Sequence, residues 1–326
     1  MKYTVSKSSL DGLDTYRAGS PQTLNWSSVF VLPAWMRVWY DSFGDEYEIC
    51  ICVVHENDKI IGVAPLMTRG HTAYFVGDTD VCDYQDFIVA PGREPGFFNA
   101  LLDDLKKNGI RELDLKHVRP DSTVMKDLAS IAGGRGYIVE SVREDVSYEM
   151  DLPSDFENYL ASLTSKQRHE VRRKLRRLTE EGSIEYRFIE NGPALDEALE
   201  EFFPMFAESR QDKASFLTDR MKHFFKSIVD VMAVNGLLKL GVLELDGKPV
   251  AEILCFDYDN CIYLYNSGYD PRYVSLSAGL LSKVLAIKDS IEKGKKKFDF
   301  LKGAEPYKAH LGGKEVPLYR CRIIVK

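Results

Sequence analysis

The sequence has no long hydrophobic segment. No window approaches the roughly 18 consecutive apolar residues that a membrane-spanning helix needs, and the apolar stretch at 27–36 is short and contains a proline. The N-terminal segment MKYTVSKSSLDGLD lacks the apolar region of a signal peptide. These absences argue against membrane insertion and favour a cytoplasmic protein.

Metal-ligand spacings are also missing. The six cysteines lie mostly within apolar predicted strands, which is typical of reduced, buried thiols in a cytosolic protein. Cys50 and Cys52 are two residues apart and would share one face of a strand, but no second pair of cysteines or histidines has ligand spacing. The sequence therefore predicts no metal site.

The common nucleotide-binding loops are absent too. No G-x-x-x-x-G-K-[ST] motif occurs, and the glycines at 132–137 precede a predicted strand without dinucleotide-binding spacing. The formal net charge of −7 does not favour nucleic acid over the whole surface. What is present is an ordinary globular composition, 44% hydrophobic and 29% charged, in 326 residues, a length that favours two domains.

The two halves of the chain repeat one pattern. In each half a hairpin precedes another strand, an amphipathic helix ending near a glycine, and a short strand. The segments are 56–66, 84–90, 96–108 and 111–116 in the first half, and 244–254, 261–267, 278–293 and 297–301 in the second. This repetition indicates an internal duplication. We expect an α/β (α+β) fold with domains at 1–150 and 151–326, each a mixed, mostly antiparallel sheet flanked by helices.

The second of these helices begins at a turn that suits an anion. Small residues leave backbone N–H groups available at the positive end of the helix dipole. The residues expected to hold a phosphate or pyrophosphate are Arg272, Ser275, Leu276, Ser277, Ala278 and Gly279. The equivalent turn at 91–96 has two prolines and Glu94, so we expect the first domain to lack this site. The alternative is that Ser277 simply caps an ordinary helix.

Residues 165–178 predict a basic helix with a narrow apolar stripe. Between 166 and 177, seven basic residues stand against one acidic residue. Three interpretations remain open. The first is a solvated surface. The second is a site at Lys166, Arg168 and Arg172 for phosphates of a donor or acceptor. The third is a contact with RNA that has no sequence preference.

Two segments resemble motifs of a known family. SKQRHEVRRKLRRL at 165–178 resembles the Ser-Lys-x-x-Arg…Arg-Arg helix at the entry to the second domain of FemAB-like and CelD-like acyltransferases. FDFLKGAEPYKAHLG at 298–312 resembles the Phe-Asp-Phe…Gly-x-Glu-x-Tyr-Lys segment of the same proteins. The order of elements is similar to that of GNAT (Gcn5-related N-acetyltransferase) domains. The resemblance is strongest over 150–312 and implies two tandem GNAT-like domains, with the donor site in the second.

The resemblance implies acyl transfer from a CoA thioester, with acetyl-CoA as the leading cosubstrate and no metal. Such chemistry needs a base or water relay, an oxyanion stabiliser and an acid for the leaving thiolate. We expect Glu305 as base or acceptor-orienting group and Tyr307 as the acid, with Lys308 and Asp299 beside them. Glu252 and Tyr265, from central strands, are expected to line the acceptor pocket. The alternative for each residue is an ordinary packing or surface role.

The expected acceptor is an amine or hydroxyl on a small polar metabolite, a sugar nucleotide or a glycan or peptide precursor. A second function that the resemblance implies is aminoacyl transfer from charged tRNA to a peptidoglycan or peptide acceptor. A third, from a different class, is a non-catalytic binding module that kept the fold. Thioester binding separates the first function from the other two, and salt-dependent tRNA binding identifies the second.

Overall fold

The computed structural model describes residues 2–19, 24–77 and 80–325. The strands are β1 (Tyr3–Ser8), β2 (Glu48–Glu56), β3 (Lys59–Arg69), β4 (Thr72–Phe75), β5 (Ile88–Val89), β6 (Glu112–Val118), β7 (Ile138–Asp151), β8 (Ile184–Ile189), β9 (Leu238–Leu245), β10 (Lys248–Tyr258), β11 (Cys261–Tyr269), β12 (Lys297–Lys302) and β13 (Lys314–Ile324). The α-helices are α1 (Leu13–Gly19), α2 (Pro33–Phe43), α3 (Glu94–Lys107), α4 (Ala129–Gly134), α5 (Phe156–Ser162), α6 (Ser165–Glu181), α7 (Pro193–Ser209), α8 (Gln211–Phe216), α9 (Asp219–Val234), α10 (Ala278–Glu292) and α11 (Pro306–His310). Short 3-10 turns span Val29–Val31, Gly44–Glu46 and Pro271–Leu276, and a π-helical turn spans Val124–Leu128.

The chain divides into two compact units. The first comprises Met1–Val146 and Val316–Lys326, and the second comprises Ser147–Glu315. The sequence placed the division at residue 150 and assigned the whole C-terminus to the second domain. In the structure the last strand, β13, contributes most of its residues to the first unit because it pairs with β6.

In the first unit, β1, β2, β3 and β4 form an antiparallel series, and β6 pairs with β4 in parallel. Helix α3 lies between β4 and β6 in the chain, as the crossover of a parallel pair requires. The turn of the β2–β3 hairpin has positive φ at both Asn57 and Asp58, the backbone of a type I′ turn. The predicted hairpin is therefore confirmed.

The second unit repeats this order. Strands β8, β9, β10 and β11 are antiparallel neighbours, β12 is parallel to β11, and helix α10 makes the crossover. The β9–β10 hairpin turns at Asp246 and Gly247, again with positive φ at both residues. The tandem arrangement of mixed sheets with flanking helices that the sequence predicted is therefore confirmed.

Each crossover helix covers one face of its sheet with a periodic apolar stripe. Phe97, Leu101 and Leu105 of α3 lie in the first core, and Leu281 and Ile287 of α10 lie in the second, all fully buried. Burying one such side chain contributes roughly 1.5–3 kcal/mol. In the second unit, α7 and α9 pack on β9, β10 and β11 with a cluster of aromatic rings. The rings of this cluster include Phe202, Phe206, Phe224 and Phe225.

The strand predicted at 84–90 is wrong over most of its length. Only Ile88–Val89 forms a strand, and β4 occupies the position equivalent to β11. The preceding carboxylate of Asp86 accepts hydrogen bonds from the N–H of Phe87 at 2.9 Å and from the N–H and hydroxyl of Thr123 at 2.8 and 2.7 Å. These bonds hold a buried loop. Its apolar residue pattern is similar to that of a strand, which is why the sequence predicted one.

Within residues 2–19, 24–77 and 80–325, no helix combines the length and the hydrophobicity that a bilayer crossing requires. Over the same ranges, His, Cys, Asp and Glu side chains form no group of three or more that is suited to a metal ion.

Candidate functional site

Strands β11 and β12 pair over a short stretch and then separate. Their parallel partners run from Cys261 with Lys297 to Tyr263 with Asp299, whereas β11 continues to Tyr269. In the described part of the chain, no further strand pairing joins the two beyond this point. The backbone groups along the separating edges need other hydrogen-bonding partners. Lys213 and Lys308 supply such partners for the carbonyl oxygens of Ser267 on β11 and of Leu301 and Lys302 on β12, and the separated edges form a gap.

A β-bulge interrupts each strand at the gap. The extra residue is Tyr265 on β11 and Phe300 on β12. Leu301, which follows, has a φ of 61°, and its N–H donates to Oδ1 of Asp299 at 2.8 Å. A left-handed conformation costs a non-glycine residue roughly 1–2 kcal/mol. The carboxylate of Asp299, 1% exposed, thus stabilises the bulge within β12.

Lys308 ties the end of β12 to α11. Its ammonium group donates to the carbonyl oxygens of Leu301 at 3.0 Å and Lys302 at 2.5 Å, and it lies 3.0 Å from Oε2 of Glu305. The residue is 2% exposed. Gly303 has a φ of 113°, and a Cβ there would lie 2.5 Å from Oε2 of Glu305. The loop can close around the ammonium group because this position is a glycine.

Glu305 faces two cations. Its Oε1 accepts from Arg210 at 3.3 Å, while Oε2 is paired with Lys308 by charge, without an aligned hydrogen bond. Burial alone would raise the pKa of Glu305, but the charge and hydrogen-bonding capacity of Lys308 outweigh it, so the pKa lies below its ordinary value. The carboxylate is therefore ionised at neutral pH, and it is better suited to orient an acceptor by hydrogen bonding than to act as a strong base.

Tyr307 and Lys283 contact each other beneath this loop. The Lys283 nitrogen lies 5.1 Å from the centre of the Tyr307 ring and donates to the carbonyl of Gly279 at 2.6 Å. Burial raises the pKa of Tyr307 well above its ordinary value, so its hydroxyl keeps its proton and is suited to donate a hydrogen bond rather than the proton itself. Burial also lowers the pKa of Lys283 to about 7, and the charge of nearby Lys213 adds to that effect.

Two further basic residues come from the segment after α7. Lys213 donates to the carbonyl of Ser267 on β11 at 2.5 Å, and its nitrogen lies 4.7 Å from the centre of the Phe206 ring. Burial, and then the charge of Arg210, lower the pKa of Lys213 to about 8. Together with Lys283 and Lys308, these residues place four basic side chains around the gap. Two carboxylates interact with them: Glu305, and Asp212, which pairs with Arg210 at 2.7 Å.

The turn before α10 differs in part from the expected anion site. Ser277 has a φ of 59°, and its hydroxyl does not cap the helix. The N–H groups of Ala278 and Gly279 donate to no acceptor among the described residues, as an anion-binding helix start requires. Ser275 is exposed, whereas Leu276 and Ala278 are buried in the core.

Arg272 and Gly279 have partners within the protein. The Arg272 guanidinium binds both carboxylate oxygens of Asp270, at 2.6 to 3.0 Å, although its side chain is 84% exposed. A Cβ at Gly279 would lie 2.7 Å from the ring of Tyr269. In the structure Gly279 therefore admits an aromatic ring, where the sequence suggested that it admits a ligand.

Much of the charge of the basic helix α6 is neutralised nearby. Arg172 pairs with Glu157 at 2.6 Å, and other bases pair with Glu170 and Glu180. Arg168 donates to the carbonyl of Ala161. Lys166 is exposed and has no ion-pair partner among the described residues. Helix α6 packs against α10 and the turn Pro271–Leu276, so these cations belong to the neighbourhood of the free N–H groups.

The structure places Glu252 and Tyr265 on the side of the sheet that α7 and α9 cover. Glu252 is 0% exposed, and neither carboxylate oxygen has a hydrogen-bond partner among the described residues. Burial, and then the charge of Glu201, raise the pKa of Glu252 to about 8, so the group is mainly uncharged at pH 7. The ring of Tyr265 packs between those of Phe225 and Phe256.

The expected residues therefore fall into separate groups. Glu305, Tyr307 and Lys308 meet at one loop with Asp299 at its start, whereas Glu252 and Tyr265 belong to the α7 side. Sequence reasoning missed Arg210, Lys213 and Lys283. Only Lys283 could have been identified from the sequence, because it is a charged residue within the apolar stripe of α10. The positions of Arg210 and Lys213 depend on a loop whose path no local sequence pattern predicts.

Comparisons with known proteins agree with this architecture. Residues 165–309 match the family model described as an acetyltransferase (GNAT) domain. A search of curated proteins found no sequence with significant similarity to the chain.

Several solved structures share the fold over nearly the whole chain. A crystal structure of FemX is similar with a TM-score of 0.69 and 14% identity, covering 98% of this chain and 97% of that one. A conserved protein of unknown function from Bacteroides thetaiotaomicron gives 0.62 and 13%, covering 99% and 100%. A tandem GNAT protein from the clavulanic acid biosynthesis pathway gives 0.50 and 12%, covering 98% of each chain. The chain thus has a FemAB-like, tandem GNAT fold, and its residues 165–309 match the GNAT acetyltransferase domain model.

Proposed function

We propose that the protein transfers an acyl group, with acetyl as the first candidate, from a CoA thioester to an amine or hydroxyl of a polar metabolite, sugar nucleotide or glycan or peptide precursor. The observation that carries the proposal is the gap between β11 and β12, which opens beside the unclaimed N–H groups of Ala278 and Gly279 and the loop of Glu305, Tyr307 and Lys308. We assign this activity to the second unit and no donor site to the first.

The donor fits these residues in part. The free N–H groups and the exposed ammonium of Lys166 suit phosphate oxygens, and the separating strand edges suit an amide-bearing chain. Ser275 is accessible at the turn, whereas Arg272 must share its guanidinium with Asp270 to contribute. Leu276 shapes the turn from the core.

The loop after β12 supplies the polar groups. When bound, a thioester supplies an electrophilic carbonyl carbon and a thiolate leaving group. Glu305, ionised and held by Arg210 and Lys308, orients the acceptor amine or its water. The Tyr307 hydroxyl keeps its proton, because burial raises its pKa, and can donate a hydrogen bond to the departing thiolate, while the proton that the acceptor loses passes to water. N–H groups on the β11 edge can stabilise negative charge on the carbonyl oxygen, while Lys308 and Asp299 fix the loop.

Binding and turnover test this proposal together. We expect acetyl-CoA to raise the melting temperature of the protein. With a suitable acceptor, we expect release of the CoA thiol, detected with a thiol reagent, and acylation of the acceptor, detected by its mass. Lys166→Gln should weaken acetyl-CoA binding, and the matched exposed variant Lys314→Gln should not. If no CoA thioester binds the folded protein, the proposal is wrong.

Aminoacyl transfer from charged tRNA is the second candidate. It is favoured by exposed bases of α6 such as Lys166 and Arg177. It predicts tRNA binding whose affinity falls steeply with salt, and no thermal shift with acetyl-CoA. A non-catalytic binding module, the third candidate, predicts that neither a thioester nor an aminoacyl ester is consumed with any acceptor.

We also propose a reducing compartment such as the cytoplasm. All six cysteines are free, and the sulfur atoms of Cys50 and Cys52 lie only 3.9 Å apart without a bond. A thiol count on freshly isolated protein, with six accessible thiols after denaturation as the expected result, tests this placement.

A further inference from the structure

A cluster of two thiols, one amine and one carboxylate lies in the first unit, apart from the residues assigned to acyl transfer. Cys50 and Cys52 share a face of β2, and the register of β1 places Lys7 directly opposite Cys52. The Lys7 nitrogen lies 3.0 Å from the sulfur of Cys52 and 3.7 Å from that of Cys50. Asp104 of α3 completes the cluster, with Oδ2 at 2.8 Å from the same nitrogen.

We propose that Cys50 is a reactive thiol that attacks hydroperoxides and other soft electrophiles, with Lys7 as its activating cation and Cys52 as its hydrogen-bonding and resolving partner. The site lies outside the proposed acyl-transfer activity and does not depend on it.

The two thiols have different surroundings. Cys50 is partly exposed, whereas Cys52 is 0% exposed. A hydrogen bond from Cys52, followed by the charge of Lys7, lowers the pKa of Cys50 to about 6 against the opposing effect of burial. The same hydrogen bond, followed by burial, raises the pKa of Cys52. The exposure of Cys50 and the nearby charge of Lys7 therefore favour Cys50 as the reacting thiolate, with Cys52 as its buried hydrogen-bonding partner.

Lys7 keeps its charge beside the sulfur atoms. Burial alone would lower the pKa of Lys7, but hydrogen bonds to Asp104 and Cys52 raise it above its ordinary value. Asp104 has a second, opposing effect, because its negative charge disfavours the Cys50 thiolate. The groups facing Cys50 from β1, β2 and α3 are thus one cation, one neutral thiol and one anion that is paired with the cation.

No other cysteine combines exposure with an activating cation. Cys52, Cys82, Cys255, Cys261 and Cys321 are all buried. Burial raises the pKa of Cys255, Cys261 and Cys321. Cys82 accepts a hydrogen bond from the indole N–H of Trp35 at 3.1 Å, inside the core. A reagent that needs an accessible thiolate therefore reaches Cys50 first.

With a hydroperoxide ROOH, the steps balance as follows. The Cys50 thiolate attacks the outer oxygen, the S–O bond forms, the O–O bond breaks, and the alkoxide takes a proton from water and leaves as ROH. The sulfur is oxidised by two electrons to a sulfenic acid, and the peroxide is reduced. The Cys52 thiol then attacks that sulfur, an S–S bond forms, and the S–O bond breaks with loss of water that includes the Cys52 proton.

The geometry of strand β2 strains the disulfide that would form between Cys50 and Cys52. Residues two apart on a strand have Cα atoms about 6.6–6.8 Å apart, at the upper end of the range that a disulfide spans. The sulfur atoms must also close from 3.9 Å to about 2 Å. We therefore expect a strained bond that small thiols reduce readily.

Alkylation of the intact, full-length chain tests the thiolate. The folded protein is treated with iodoacetamide between pH 5 and 9, and each cysteine is followed by peptide mass spectrometry. We expect Cys50 to react first, with a midpoint near pH 6, and Lys7→Met to slow it at least about tenfold at pH 6.5. Asp104→Asn should leave Cys50 at least as reactive, and Lys59→Met, an exposed control on β3, should leave the profile unchanged.

Peroxide treatment tests the resolving step. We expect tert-butyl hydroperoxide to give the wild-type chain a mass loss of two hydrogens, located at Cys50 and Cys52. In Cys52→Ser, which keeps a hydrogen-bond donor, a dione reagent should instead trap the sulfenic acid on Cys50. If Cys50 in the wild-type chain reacts no faster than the buried cysteines, or only with a midpoint above pH 8, the inference is overturned, whatever the variants do.

Discussion

The Lys283 nitrogen lies over the ring of Tyr307, 5.1 Å from its centre. This contact joins α10 to α11 beneath the loop that carries Glu305, and it places an amine that titrates at about pH 7 beside a phenol that keeps its proton. A cation over an aromatic ring is stabilised by roughly 0.5–2 kcal/mol, depending on its desolvation. The charge state of Lys283 is therefore linked to the stability of this part of the second unit.

We predict that Lys283→Met flattens one part of the pH dependence of stability. The pKa of Lys283 is lower in the folded state than in the unfolded chain, so the unfolded chain binds more protons between about pH 7 and 10.5. Stability from this residue therefore rises with pH in that window, by at most about 1.4 kcal/mol per unit. Urea unfolding at pH 6 to 9 should give the variant a higher free energy of unfolding than wild type, and this difference should be largest at low pH. Lys288→Met, on the exposed side of the same helix, should show no such trend.

Glu252→Gln should have the opposite pH trend. The pKa of Glu252 is raised to about 8 in the folded state, so the folded chain binds the extra proton between about pH 4.5 and 8. Stability from this residue therefore falls as pH rises through that window. The amide cannot ionise, so the variant should become more stable relative to wild type from pH 5 to pH 8, by a few kcal/mol at most. The prediction is contradicted if the difference in free energy of unfolding between the variant and wild type stays constant over this range.

Glu305→Gln should depress turnover and leave CoA affinity near that of wild type. The amide keeps the shape of the side chain but loses the charge that orients an acceptor. We expect turnover to fall about 10²-fold or more, measured by CoA release at saturating acceptor. Calorimetric binding of CoA provides the affinity, with Glu292→Gln as a surface control. A collapse of CoA binding instead assigns Glu305 to the donor side or to structure.

Lys308→Met should destabilise the second unit. It removes the donor for the carbonyls of Leu301 and Lys302 and leaves Glu305 without its nearest cation. Losing hydrogen bonds to a buried charge costs about 2–4 kcal/mol. Denaturant unfolding measures the loss, and Lys314→Met serves as the exposed control. Lys308→Arg should not restore stability, because the loop closes around a compact ammonium group. Wild-type stability for Lys308→Met contradicts a stabilising role for the contacts of Lys308 with Leu301, Lys302 and Glu305.

Local signals determined much of the fold. The two hairpin turns carry Asn57-Asp58 and Asp246-Gly247, which favour the left-handed backbone that both turns adopt. The helices predicted at 96–108 and 278–293 form at Glu94–Lys107 and Ala278–Glu292. Such elements are set by residues close in sequence, so a single sequence contains the required information.

The site was less accessible to sequence reasoning because its contacts join distant segments. Lys213 reaches Ser267 and Arg210 reaches Glu305, and no periodicity links these pairs. The charge of α6 was overstated for the opposite reason. Its partners Glu157 and Glu170 are nearby in the chain, but counting charge does not show which side chains meet.

The contacts that enclose the Lys308 ammonium group also affect the chemical reactivity of the protein. Thioesters and activated esters acylate amines that are both accessible and able to present a lone pair. The Lys308 nitrogen is shielded from solvent and donates its protons to Leu301 and Lys302 beside the carboxylate of Glu305. Under the proposed function, an acyl donor bound next to this loop would therefore leave Lys308 unmodified. Native-state labelling with an amine-reactive ester should leave Lys308 unlabelled while exposed lysines such as Lys166 react.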